Sequence, residues 1–488
     1  MPTTGVCGIG ADKRIGRIVM TTRLTQMVSA VIMLLAASSY AAAEKHTSLM
    51  IHYGWDMPII EQLGEMLPKL DASVFDGSAV RLSGRSEVFT LKPHAAADYA
   101  ADKRFAANIR SAKLKNSYLV INAATDAGFD WSNDTHWASA VANFRNTASV
   151  AKAVGLRGIV FDMEPYGKSP WTYATQPFAD KITFSAAQKL VRKRGADAMR
   201  AMEAEYPGLN LLTLYLLSAN SNTVSDNPAP ADLLPLLKDE GYGLWPSFVA
   251  GWLEAASPAV RIIEGNEPSY YYTKKQEFEG AITNLKSEYA RLLPDDIRAK
   301  YAEHVLIGHS AYVDGVMNLA KSPRFIGYYF KTPADRAALL TQNIVDGLST
   351  SEDLVWVYSE DVQWWSGKPQ TAVVNAVAAA ATAYHDGARL PDTGASIATA
   401  QNALNSRISI SGKIVRNGRS LPVKRFDPPE INTACATWGD TGEYGCDFPK
   451  GWSGTIKPIV EGYVLTPKQR SYKSVTERTG EQDFIARK

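Results

Sequence analysis

Eight short apolar runs between residues 49 and 357 constrain the fold of this chain more than any other feature. They fall at 49–51, 78–82, 118–121, 159–161, 211–217, 260–263, 305–308 and 354–357. Successive runs begin roughly 30 to 50 residues apart, and helical periodicity fills the intervals, which is the rhythm of repeated βα units. Apolar runs this short, lying between helices, read as strands buried on both faces, as in a parallel sheet. Polar and aromatic residues crowd the positions just after the runs. That asymmetry marks a barrel whose strand carboxyl ends form the working face. The expectation is an α/β fold, a (β/α)8 TIM barrel over residues 44–390, closed by the Ala-rich helix 371–384; an open doubly wound sheet shares the rhythm. A chain of 488 residues has room for such a barrel and one small module.

The fourth run ends in Asp162, Met163, Glu164 and Pro165. Side chains alternate along a strand, so Asp162 and Glu164 fall on one side. Two carboxylates on one face at a buried strand end are costly unless they are paired, bonded or used. Glycoside hydrolysis uses two such groups, one acid to protonate the leaving oxygen and one base or nucleophile. Glu164 is the expected acid, with Asp162 supporting it. Its partner is expected to be Glu267 (or Glu264) after the sixth run, or Glu360 after the eighth. The F-D-M-E sequence resembles the D-x-E strand ending of chitinase-like barrels, in which the Glu is the acid and the Asp two before it assists. Arg157 and Val160 stand where the first two Asp of that family's longer pattern would be. Asn266-Glu267-Pro268 resembles the acid/base tripeptide of a large clan of retaining glycosidases, there carried on the fourth strand.

The other polar and aromatic strand-end residues are candidates for binding a sugar: His52, Trp55, Asp56, Arg81, Asn122, Trp131, Tyr270, His309, Tyr312, Tyr358 and Trp364. Arg81 could alternatively neutralise Asp162 or Glu164. The chain has 11 Trp and 22 Tyr, enough for both a core and a lined cleft. Its seven His form neither H-x-H nor H-E-x-x-H, so neither a metal site nor a cofactor is expected. No G-x-S-x-G elbow supports serine chemistry. Lys plus Arg number 52 against 50 Asp plus Glu, which leaves no electrostatic footprint for nucleic acid. The sequence is silent on oligomeric state.

Residues 20–43 read as a secretory signal, with Arg23 at its start, the apolar stretch 31–35, and Ala41-Ala42-Ala43 as cleavage site. Residues 1–43 would then be removed, Met20 being a possible true start, and the mature protein would begin near Glu44, without a membrane span. Export to the periplasm or medium is expected, and Cys435 and Cys446, the pair left after loss of Cys7, read as one disulfide. Residues 391–406 read as a linker and 477–488 as a tail. Between them, short alternating segments split by Asn-Gly, Asp-Thr-Gly and Pro read as a β-sandwich over 407–476. The D-T-G-E-Y and G-W-S-G-T-I-K-P…E-G-Y segments resemble bacterial Ig-like, transthyretin-like repeats, which implies an Ig-like spacer or adhesion module; because a linker precedes it and every carboxylate candidate lies before residue 390, it is expected to be dispensable for the chemistry. The whole reads as an exported glycoside hydrolase acting on an oligo- or polysaccharide. The alternatives are a non-catalytic carbohydrate-binding or surface protein on a degenerate barrel, or a peptidoglycan- or exopolysaccharide-processing lyase.

Overall fold

A computed structural model describes residues 47–488, apart from 108, 228–232, 391, 417–418, 422 and 439–441. The signal segment and Cys7 lie outside the described residues. All eight expected strands are present and parallel: β1 (Leu49–Gly54), β2 (Gly77–Arg81), β3 (Tyr118–Thr125), β4 (Gly158–Asp162), β5 (Asn210–Thr213), β6 (Arg261–Glu264), β7 (Val305–Ile307, continuing after Gly308 as His309–Tyr312) and β8 (Leu354–Ser359). A short strand, Glu87–Phe89, pairs outside this ring with β3.

The ring closes at β7. Its first half pairs with β6 and its second half with β8, which in turn pairs with β1. At the change of partner Gly308 donates its N–H to Glu264 O at 2.9 Å. A Cβ there would come within 2.9 Å of Leu354 O, so a larger residue would push the two strands apart.

Strand alternation divides the core into two. Ile51, Tyr53, Ala79, Tyr118, Val120, Val160, Leu212, Ile263, Leu354 and Trp356 fill the barrel interior. Their neighbours Met50, Val80, Leu119, Ile121, Ile159, Phe161, Ile262, Val355 and Val357 pack outward against the helices. The helices supply matching faces. Asp134–Val154 is started by Asn133, whose side chain accepts from Thr135 N and His136 N, and it buries Trp137, Phe144 and Ala148. Thr371–Asp386 is the expected Ala-rich closing helix, burying Val373, Ala376, Val377 and Ala380.

Beyond the barrel, residues 408–487 form two sheets. Strand Ile408–Arg416 lies between Glu443–Phe448 and Phe484–Arg487 in a six-stranded sheet, and Arg425–Asp427, Trp452–Ile459 and Arg470–Val475 form a three-stranded one. Both contribute to one apolar cluster, including Ile410, Phe426, Tyr444, Ile456 and Phe484. Cys435 and Cys446 face each other in register and are disulfide-bonded.

Two boundaries differ from expectation. The 391–406 segment contains a helix, Gly394–Asn405, with Ile397, Ala400 and Leu404 buried at helical spacing against the turn Ile326–Tyr329 and the helix Pro333–Thr350. Its Ala/Ser/Thr content reads as a linker, yet three apolar residues on one face suffice to dock it. The 477–488 segment is likewise no loose tail, because Phe484–Arg487 is an interior strand of the larger sheet, with Phe484 and Ala486 buried.

Candidate active site

Continuing the interior row of each strand past its carboxyl end leads into one cavity of about 470 Å³. Tyr53 ends that row on β1, Arg81 on β2 and Asn122 on β3; Asp162 and Glu164 follow β4, Glu267 follows β6, and Tyr358 and Glu360 follow β8. Tyr312 from the end of β7 and Tyr270 from the loop after β6 complete the floor, and Trp55 stands at the edge, 69% exposed. Ten expected site residues therefore meet: Asp162, Glu164, Glu267, Glu360, Trp55, Arg81, Asn122, Tyr270, Tyr312 and Tyr358. Gly54 gives β1 its close approach to β8, since a Cβ would stand 2.0 Å from Ser359 O and its φ of +153° disfavours other residues.

Five expected residues lie elsewhere. His52 has the outward parity on β1; it is fully buried against Phe75 and Trp365, bonded to Ser78 Oγ at 3.1 Å, and burial pushes it down to about 3. His309 is outward on β7, 3.0 Å from Asn266 Nδ2 and edge-on to Phe278, and is also pushed down to about 3. Trp131 is fully buried among Phe89, Trp137 and Trp171 and donates to Pro170 O. Trp364 packs on Phe75 and donates to Ser359 Oγ. Asp56 accepts from the backbone N–H of Trp365 and Ser366, anchoring the loop after β8. Each is an aromatic or polar residue near a strand end whose side chain belongs to the helix–sheet layer or to a loop anchor.

Parity also separates the two glutamates near β6. Glu264 follows Ile263 and points outward; it is fully buried and accepts from Leu217 N, Ser218 N, Ser218 Oγ and Asn266 N. Four donors on one carboxylate make a loop anchor. Glu267, three residues on, enters the cavity.

The carboxyls act on one another. Asp162 Oδ1 accepts from Glu164 N at 3.0 Å, and its Oδ2 accepts from the Tyr166 phenol at 2.6 Å. The same phenol lies 3.0 Å from Glu164 Oε2. Burial and then the Glu164 charge push Asp162 up to about 7. Glu267 is pushed up to about 8, first by burial and then by Glu164, against a hydrogen bond from Tyr215. Glu164 is raised by burial, opposed by the Tyr166 bond. Arg81 does not neutralise this group, because its hydrogen bond goes to Met57 O at 3.4 Å. Glu360 stands apart: its Oε1 accepts from Tyr358 at 3.1 Å and Tyr312 at 3.4 Å, while its own N–H and that of Asp361 are held by the buried Asp314 carboxylate.

Sequence reading passed over Tyr53, Tyr166, Tyr215 and Phe325. Tyr53 shares the parity of Ile51, which becomes the inward row only once the barrel closes. Tyr166 follows Glu164 by two positions in M-E-P-Y-G, and its φ of +35° turns it back over the carboxyls. Tyr215 and Phe325 carry no local signal.

No protein family model matches the chain, and no curated protein sequence matches it. Among solved structures, an endo-beta-1,4-mannanase double mutant from Cellulomonas fimi is 11% identical, covering 88% of this chain and 93% of that one with a TM-score of 0.35. An endo-beta-mannanase/endo-beta-glucanase from Prevotella bryantii is 14% identical over 63% of this chain and 42% of that one, TM-score 0.33. A sugar phosphate isomerase/epimerase from Parabacteroides distasonis is 10% identical over 69% and 96%, TM-score 0.30. Likenesses this distant carry no chemistry across, and the barrel rests on its own strand pairing.

Proposed function

We propose that this chain is an exported glycoside hydrolase, secreted or periplasmic, that cleaves an oligo- or polysaccharide bound across the barrel mouth. One observation carries the reading: Asp162, Glu164 and Glu267 share one cavity, where the Glu164 charge raises the proton affinity of both Asp162 and Glu267, beside an exposed Trp55. A pair of carboxyls with separated proton affinities is what acid/base cleavage of a glycosidic bond requires. The electrostatics favour exchanging the roles expected from sequence. Glu267, pushed to about 8, holds its proton at neutral pH and gives it to the leaving oxygen. Glu164, whose anion the Tyr166 phenol supports, is the base or nucleophile at the anomeric centre. Asp162 positions Glu164 through its backbone N–H and shares the phenol. The β-module is proposed to be an Ig-like sandwich. The test is a screen of the purified protein on a polysaccharide panel, beside Glu164→Gln and Glu267→Gln. Release of reducing ends by the parent but not by the variants supports the reading. Binding without cleavage would make this a carbohydrate-binding protein on a barrel scaffold.

A further inference from the structure

The loop after β7 enters the cavity wall through Phe325, yet its fixed points lie partly outside the barrel. Phe325 stacks on Tyr271 with ring centroids 5.8 Å apart at 10°, and meets Tyr312 edge-on at 5.0 Å. Tyr271 is 54% exposed, so the pair presents an aromatic face at the cavity edge. The loop's far end is held by the barrel, where Arg336 donates to Gly327 O at 2.8 Å and Phe330 O at 2.9 Å. Its near end is held by the C-terminal module. The Ser322 hydroxyl donates to Thr433 O, and Thr433 Oγ1 donates back to Lys321 O at 3.2 Å. Ser322 is buried in this contact, and Lys321 has a φ of +48°, in the left-handed region that a lysine seldom adopts. The helix Gly394–Asn405 packs under the following turn, Ile326–Tyr329. Arg407 at the start of the module and Asp447 on its strand Glu443–Phe448 reach Tyr271 electrostatically.

We infer that the C-terminal module is a positioning element of the cleft: through Thr433 it pins the loop after β7 and so sets the Tyr271–Phe325 face, on which one ring of the saccharide stacks. The subsite part rests on the glycosidase reading; the pinning part does not. Phe325 lies on a loop tied at two ends, so releasing one end lets it leave Tyr271, and its ring contacts are with Tyr271 and Tyr312 rather than with Asp162, Glu164 or Glu267. Neither Ser322 nor Thr433 lines the cavity.

The test uses the full chain with the double substitution Ser322→Ala and Thr433→Val, and separately Phe325→Leu. Amide hydrogen exchange over 318–330 is expected to speed up on the order of tenfold in the double variant, since two linking hydrogen bonds are lost. KM for the longer oligosaccharides should rise on the order of tenfold in both variants, the scale of losing one aromatic stacking contact. In the double variant, whose two substituted residues do not line the cavity, the kcat for a small aryl glycoside should stay at the parent value. Unchanged exchange at 318–330 would overturn the pinning. Faster exchange with unchanged KM would overturn the subsite, as would an equal fall of kcat on all substrates. If the parent cleaves nothing, the glycosidase reading falls. Calorimetric Kd for the same oligosaccharides then decides the proposal, and it stands only if binding weakens in both variants.

Discussion

Asp162→Asn tests the electrostatics of the site without any knowledge of the substrate. In the fold Asp162 titrates at about 7, against 3.8 for a free aspartate. That gap of about three pH units corresponds to ~4 kcal/mol at 1.36 kcal/mol per unit. The sign follows from which state holds the proton. Below pH 3.8 both folded and unfolded chains are protonated there, and folding carries no penalty from this group. Between 3.8 and about 7 the unfolded chain ionises while the fold keeps its proton, so stability falls as pH rises. Above about 7 the full penalty is present. Asparagine keeps the shape and can still accept from Glu164 N, but it loses the acceptor for Tyr166, which costs ~1 kcal/mol. Asp162→Asn should therefore be more stable than the parent by ~3 kcal/mol at pH 8, and equal or slightly less stable at pH 4. The assay is guanidinium unfolding of parent and variant at pH 4, 6 and 8, followed by far-ultraviolet circular dichroism. A difference that does not change with pH, or a variant less stable at pH 8, would refute the claim that Asp162 is held near 7 by burial and Glu164.

Glu267→Gln should lower kcat by ~10²–10⁴ on natural linkages but by far less on aryl glycosides with good leaving groups, because these depart without a proton. Glu164→Gln should lose both, so the ratio of the two rates assigns acid and partner. Tyr166→Phe removes the phenol that favours the Glu164 and Asp162 anions, so the acidic limb of the kcat/KM profile should move to higher pH, with little change in melting temperature. The Cys435–Cys446 bond closes a loop of sequence separation 11, so reducing it should weaken the module by ~2–3 kcal/mol. Limited proteolysis with and without reductant reads that loss as earlier cleavage within 408–487.

The sequence by itself determined eight strands alternating with helices and the strand ends at which the polar residues gather, while closure into a barrel rather than an open sheet was decided by the pairing of β7 with β6 and β8. Short apolar runs with helices between them have few other ways to bury both strand faces. It also determined that Asp162 and Glu164 lie together, because strand alternation is a local property that survives past the strand end. It could not say which of the two alternating rows faces inward on each strand. Closure decided that, putting Tyr53, Asn122 and Tyr358 into the cavity and His52 and His309 into the helix layer. The same choice made Glu264 a loop anchor and Glu267, three residues on, a cavity carboxyl. The docking of helix Gly394–Asn405 and the Ser322–Thr433 link were decided only in three dimensions as well. Ser322 and Thr433 are small and polar, and carry no signal until a partner 111 positions away supplies the other half of the contact.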